Sequence, residues 1–349
     1  MYIQQLFNPN GRKTADLSGI GFNLGEAHEV ATLTIQEINK RGGPSEADWP
    51  KLNRMFLLLH ELGGASRWFR ETFRFIIESS YPSVFQRIYT KPAGFAGDAL
   101  TLSLLFHRTH GKPQSAEEVM LAKWDEYLFH QQSVGAIQHR EVEVLRVMEE
   151  EAEKAAMWEE HTKQFDTHGV MLTDRSLMTV KDIACGWGLL PYALASTLGG
   201  KVSWADISYI GIDADPVALI MTKSLIEEKE LFFDSSFRKK LIGIHRNLPL
   251  SELTWCSGLF DYFSDQVFVK AGVALLETTT SRVVIGNMSP NSWSIPLMEL
   301  MGWRIQTRTK EQLAHLAEEI FARVKGVPPR CYLITQDLSG AQLYLHLYR

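Results

Sequence analysis

Beyond His168 the sequence alternates short β-rich runs with helical segments, and this alternation constrains the fold more than any other feature. The runs are Val180–Ala184, Tyr209–Asp213, Leu241–His245, Thr254–Ser257 and Val283–Asn287, and a hairpin of Cys331–Gln336 and Gln342–Tyr348 closes the chain around Leu338-Ser339-Gly340. Strands separated by helices need crossover connections, so the sheet is expected to be parallel and doubly wound, with the hairpin antiparallel at its end. From about Ala27 to His161 the pattern is helical instead, as in Leu52, Met55, Phe56, Leu59 and Leu62. The 349 residues therefore read as an all-helical domain over 1–165 and a Rossmann-like α/β domain over 166–349. Ser115-Ala116-Glu117-Glu118 predicts a capping box, Thr309 to Gln312 caps the last long helix, and the Glu- and Arg-rich stretch from Ser133 to Glu160 reads as a solvated helix face.

Charge excludes some partners. The net charge is −5, and Lys and Arg are scattered, with no basic stripe interleaved with aromatics, so no nucleic-acid partner is expected. Cys185, Cys256 and Cys331 have neither CxxC nor Cys/His spacing, and His107 and His110 lack the i,i+4 spacing of a helical metal site; no metal is expected. The first residues carry no signal-peptide pattern and the longest apolar stretches, such as Met55–Leu59, are too short to span a bilayer, so the expectation is a cytoplasmic protein without a membrane partner.

The strongest local signal is Val180-Lys181-Asp182-Ile183-Ala184-Cys185-Gly186-Trp187-Gly188, an apolar strand with an acid that runs into a Gly-x-Gly turn before a helix. Gly186 and Gly188 allow a sharp turn and a close approach of backbone to a ligand, at a point where helix N–H groups are free. About 25 residues later Asp213 ends the next run, where a carboxylate holds a ribose diol in nucleotide-binding α/β folds. The position three after Gly188 is Pro191, so the pyrophosphate cradle of dinucleotide binders is missing.

This strand end resembles class I SAM-dependent methyltransferases (SAM, S-adenosylmethionine). Three further segments, Lys91-Pro92-Ala93-Gly94-Phe95-Ala96-Gly97-Asp98, Ser257-Gly258-Leu259-Phe260-Asp261-Tyr262-Phe263-Ser264-Asp265 and Gly286-Asn287-Met288-Ser289-Pro290, resemble the bacterial family of extracellular-factor, or 3-hydroxypalmitate methyl ester, biosynthesis methyltransferases. That resemblance implies a helical lid over a class I methyltransferase sheet, with reaction between them. It implies SAM as co-substrate, Asp182 and Gly186 at its methionine part, Gly188 in the turn, and Asp213 at the ribose. Ala184 and Ser257 join this cofactor-binding set, and Asn247 and Leu248 edge the adenine, although Asn247 serves equally well as a helix cap. The family usually has Arg near position 93 and Tyr near 95, where this chain has Ala93 and Phe95. Some members of similar sequence close SAM into azetidine-2-carboxylate and release methylthioadenosine.

The remaining candidates are read from their chemistry. Gly94, Phe95 and Gly97 form a loop able to approach a ligand, with Asp98 as a carboxylate for an ammonium, or else they are an interhelical joint. Asp261 and Tyr262 follow the fourth strand, where Tyr262 offers an aromatic face to a sulfonium or packs in the core. Asn287 and Ser289 follow the fifth strand and orient an acceptor or cap a loop. His139 is a candidate general base or else a satisfied surface residue, and Arg140, where the family resemblance implies an Arg, is a carboxylate clamp. The reading is a methyltransferase acting on a small molecule in bacterial secondary or signal metabolism. The rivals are a SAM cyclase in the same fold and a non-catalytic SAM-binding module.

Overall fold

The computed structural model describes residues 23–63, 66–165, 178–196, 207–229, 234–239, 248–326 and 331–349. The chain divides into two compact units, Met1–Gly135 with Ser292–Arg304, and Ala136–Asn291 with Ile305–Arg349. The division thus falls at Gly135 rather than near residue 165, and a short stretch from far along the chain joins the helical unit.

That unit contains α1 (Leu24–Lys40), α2 (Trp49–Glu61), α3 (Ser66–Thr72), α4 (Arg74–Ile77), α5 (Val84–Thr90), α6 (Ala99–His107) and α7 (Ala116–Phe129). Its core is aromatic: Phe56, Phe69, Phe73, Phe85, Trp124 and Tyr127 are all fully buried, with Phe69 and Phe73 stacked at 4.5 Å. Burying side chains of this size contributes about 1.5–3 kcal/mol each. The expected box at Ser115 forms by half. Ser115 accepts from the Glu118 amide, but Glu118 reaches back to the Gln114 amide, one residue further out. The stretch 292–304 is fastened by Ser133 N to Ser294 Oγ (2.9 Å), Lys91 Nζ to the Gly302 carbonyl (2.6 Å) and His60 to Glu299 (2.6 Å).

The long helix α8 (Gln132–Phe165) carries the chain toward the sheet. Then follow β1 (Met178–Ile183), α9 (Leu189–Ser196), β2 (Ile207–Asp213), α10 (Pro216–Glu228), β3 (Asp234–Lys239), β4 (Ser251–Cys256), α11 (Asp265–Glu277) and β5 (Thr279–Met288). After α12 (Ile295–Leu300) of the helical unit come α13 (Lys310–Arg323), β6 (Cys331–Gln336) and β7 (Gln342–Tyr348). Among the described residues the sheet has seven strands in the order β3-β2-β1-β4-β5-β7-β6. Strands β1 to β5 pair in parallel, and β7 runs antiparallel between β5 and β6. This is the α/β, Rossmann-like sheet with an antiparallel closing hairpin, and the hairpin strands agree with the sequence reading residue for residue.

Successive strand residues point to opposite faces. Val283 and Ile285 join Ile183, Phe268 and Leu313 in a core under α11 and α13, whereas Val284 joins Val180, Trp255, Tyr344 and Val144 in a core under α8 and α9. The capping box at Thr309 and Gln312 is present on both sides. The expected strand Leu241–His245 lies outside the described residues, and β3 is an element the sequence reading lacked. A second correction concerns the charge run on α8. Glu143 and Glu151 are largely withdrawn from solvent, and the fully buried Arg282 sits 2.6 Å from Glu150 and 2.7 Å from His346 Nδ1, so this part of the run is a packed polar network, whereas Glu149, Glu153 and Lys154 are exposed. Among the described residues no helix is long and apolar enough to cross a membrane, and no three His, Cys, Asp or Glu side chains converge as a metal site.

Candidate active site

The end of β1 is an unusual turn. Ala184 (φ 56°), Gly186 (φ 58°) and Gly188 (φ 93°) all adopt left-handed backbone within five residues. For an alanine that conformation costs about 1–2 kcal/mol. Two bonds hold it: the Ala184 and Cys185 amides both donate to the Ile212 carbonyl, at 2.7 and 3.3 Å. Gly188 has little room for a side chain, since a Cβ there would stand 3.1 Å from Leu225 Cδ2 and 3.2 Å from Thr222 Cα on α10. Thr222 Oγ1 donates to the Gly186 carbonyl (3.0 Å).

Asp213 ends β2 beside this turn. Its Oδ2 accepts from the Gly186 amide (3.0 Å) and its Oδ1 from the Asp215 amide (2.9 Å), so it ties the turn to the start of α10. Burial raises its carboxyl above the ordinary value, against the amides of Asp215, Gly186 and Ala214. Asp182 is buried and accepts from the Tyr209 hydroxyl at 3.0 Å. Burial pushes its carboxyl up to about 7, the Tyr209 bond opposes this, and the nearby Asp213 adds to it. Two neighbouring acids that burial leaves short of compensation for their charge form a place where a cationic ligand gains the attraction of both. Tyr209 was not singled out from the sequence, where it reads as one more aromatic in a strand.

A second group gathers at the ends of β4 and β5. Cys256, the last residue of β4, gives way to Ser257, Gly258 and a tight 3-10 turn at Phe260–Tyr262. Asp261 is buried, and its Oδ1 accepts from Asn287 Nδ2 (2.8 Å) and the Met288 amide (2.7 Å). Burial pushes it up to about 7, opposed by the Met288 amide, Arg140, Arg308 and Asn287. Asn287 also donates to the Gln306 carbonyl (2.8 Å) and accepts from Arg308 Nη1 (2.6 Å). Arg308 reaches the Phe260 and Phe263 carbonyls and Asp265 as well. Asn287, a catalytic candidate on sequence, thus has its amide committed to holding Asp261. Arg308 was missed because it lies in an irregular stretch with no motif.

The other candidates are distributed as follows. Tyr262 is 43% exposed at the carboxyl edge, and Arg140 lies buried over Gly258. The Ser289 amide donates to the Ala341 carbonyl and its hydroxyl accepts from Asn291. His139 Nδ1 lies 3.2 Å from Asp337, which braces the β6–β7 turn through the Gln342 amide. Leu248 packs against the core, and Asn247 lies outside the described residues. In the helical unit Gly94 (φ 91°) and Phe95 are exposed and Gly97 is half-buried. Asp98 departs from its expected role: it is the N-cap of α6, accepting from the Thr101 amide (3.0 Å) and hydroxyl (2.8 Å) and pairing with Arg87 at 2.7 Å, which occupies the carboxylate that an ammonium would need.

No protein-family model matches the chain, and no curated protein matches it. Among solved structures it is similar to a possible exported protein from Bordetella parapertussis, with 12% identity, 97% of this chain and 99% of that one covered, and a TM-score of 0.52. It is also similar to magnesium protoporphyrin IX methyltransferase from Synechocystis PCC 6803 with bound SAH, with 12% identity, 75% and 97% covered, and a TM-score of 0.44. At such identity the first likeness speaks for the fold.

Proposed function

We propose that the chain is a SAM-dependent methyltransferase acting on a small molecule in bacterial secondary or signal metabolism, and that it works in the cytoplasm. The observation that carries this is the left-handed turn after β1, flanked by the buried acids Asp182 and Asp213. The turn bares backbone to a ligand, the acids suit a cation, and Pro191 stands where the fingerprint of a dinucleotide's pyrophosphate cradle has a small residue, which together fit a sulfonium nucleoside better than a dinucleotide.

When bound, SAM supplies an electrophilic methyl group on a sulfonium. In this reading Asp213 holds the ribose hydroxyls, Ala184, Gly186 and Gly188 shape the wall, and Asp182 faces the methionine part. Leu248 and Asn247 border the adenine. At the ends of β4 and β5, Ser257 and Tyr262 line the reacting end, while Asn287 and Arg308 fix Asp261 in place. Alignment and exclusion of water carry such a transfer, so no strong acid–base pair is required.

The test is product analysis with SAM labelled in its methyl group. A small-molecule extract should acquire label as S-adenosylhomocysteine accumulates, and SAM alone should give no enzyme-dependent turnover. Methylthioadenosine formed from SAM alone, faster than spontaneous decay, would replace methyl transfer by cyclisation.

A further inference from the structure

We propose that Arg140, Gln342 and Tyr344 form a subsite for one carboxylate at the carboxyl edge of β4 and β5; this rests on the SAM reading above. Arg140 stands one turn before Val144 on α8, and Val144 packs in the same core cluster as Trp255 and Tyr344. The helix therefore carries the guanidinium over that face of the sheet. Nη2 donates to Gln342 Oε1 at 3.2 Å, and Nη1 comes so close to the chain at Gly258 that a Cβ there would stand 3.2 Å away. Gln342 and Tyr344 are two apart on β7 and share a face, and the residue paired with Tyr344 on β5 is Gly286, which puts no side chain beside the phenol.

Two atoms in this group are buried without a hydrogen-bond partner: Arg140 Nε and the Tyr344 hydroxyl. Native interiors rarely leave polar groups so. Nε is a donor on a permanent cation. Burial pushes the Tyr344 phenol well up, with Arg140 opposing, so the hydroxyl stays a donor. Two idle donors, one of them charged, match an anionic oxygen, and the planar guanidinium matches the two oxygens of a carboxylate. Asp337, Glu143 and Asp261 also act on the phenol. That acidic surround disfavours a dianion such as phosphate and leaves a single negative charge as the fitting ligand. Its source is either the amino-acid arm of SAM or the methyl acceptor.

Calorimetry separates these sources with S-adenosylhomocysteine and methylthioadenosine, which lacks the amino-acid arm, on wild type, Arg140→Met and Tyr344→Phe. If the arm is held here, Arg140→Met weakens S-adenosylhomocysteine by roughly ten- to a hundred-fold and Tyr344→Phe by about ten-fold, with methylthioadenosine unchanged. If the acceptor is held here, all three proteins bind both nucleosides alike. Acetate, benzoate or octanoate then binds wild type saturated with S-adenosylhomocysteine and fails to bind Arg140→Met. Unchanged nucleoside binding, with none of the three carboxylates bound by wild type, overturns the subsite. Tyr344→Phe removes a hydroxyl without a partner and should melt as wild type does, which keeps the test sound if Arg140→Met unfolds. Failure of wild type to bind either nucleoside overturns the cofactor reading instead, and the carboxylates alone then decide the subsite.

Discussion

Replacing Asp182 by Asn should make the protein more stable, and more so the higher the pH. The folded chain holds the Asp182 proton up to about 7, whereas the unfolded chain releases it near 3.8. Between those values the folded state binds more protons than the unfolded state, so this group's contribution to stability falls as pH rises, by about 1.4 kcal/mol per unit. Over the whole window the loss comes to about 4 kcal/mol. Asn cannot ionise, has nearly the same shape, and its carbonyl can accept the Tyr209 hydroxyl in place of Oδ2. Urea unfolding of both proteins at a series of pH values isolates the term, because every other titrating group is common to the two. The difference should be near zero at pH 4, grow through pH 5 and 6, and level off above about 7. SAM should bind the variant more weakly, since a cation's carboxylate partner is gone. A stability difference that stays flat with pH would show that Asp182 is ionised throughout in the folded protein, and the argument for a cation-seeking acid pair would fall with it.

Asp213→Ala removes the acceptor for the Gly186 and Asp215 amides and should weaken SAM by about 1.5–3 kcal/mol for each charge-assisted bond lost; unchanged affinity in calorimetry of a folded variant would remove the ribose assignment. Gly188→Ala forces a left-handed alanine against α10 and should cost about 1–3 kcal/mol, seen as a lower melting temperature, with an unshifted melt contradicting the turn geometry. Arg308→Met strips the cation from the Asp261–Asn287 lock and should cost about 3 kcal/mol or more. Because Arg308 favours the ionised form of Asp261, the loss should be larger above pH 7 than below it, and a pH-independent loss would separate the two residues.

The sequence made the sheet legible where hydrophobicity and turn chemistry agree. In β1 an apolar run meets glycines that only a left-handed turn requires, and the closing hairpin is two alternating runs around Ser339-Gly340. β3 escaped because Asp234-Ser235-Ser236-Phe237-Arg238-Lys239 has a single apolar residue and no alternation to read. Glu143 and Glu151 of α8 looked solvated because helical spacing shows which residues share a face, not what packs on it; Arg282 and His346 come from strands more than a hundred residues later. Asp98 did carry a legible local signal, an acid directly before an apolar run, which is the mark of an N-cap. The resemblance of its surrounding loop drew attention to ligands instead. Arg308 and Tyr344 are significant only through distant partners, so no local pattern marks them.

The membership of Ser292–Arg304 in the helical unit has a consequence for how the protein is made. A ribosome finishes α1 to α7 of that unit and then synthesises β1 to β5 before the missing piece, which carries α12, emerges. At about 5–20 residues per second this takes on the order of ten to thirty seconds. During that interval the partners awaiting the piece, Ser133, Lys91 and His60, are without it, so the helical unit cannot finish folding during its own translation. Chains cut near Gly135 should inherit the same defect permanently, and the two halves should be recovered in native form only when both are present in one chain or are supplied together.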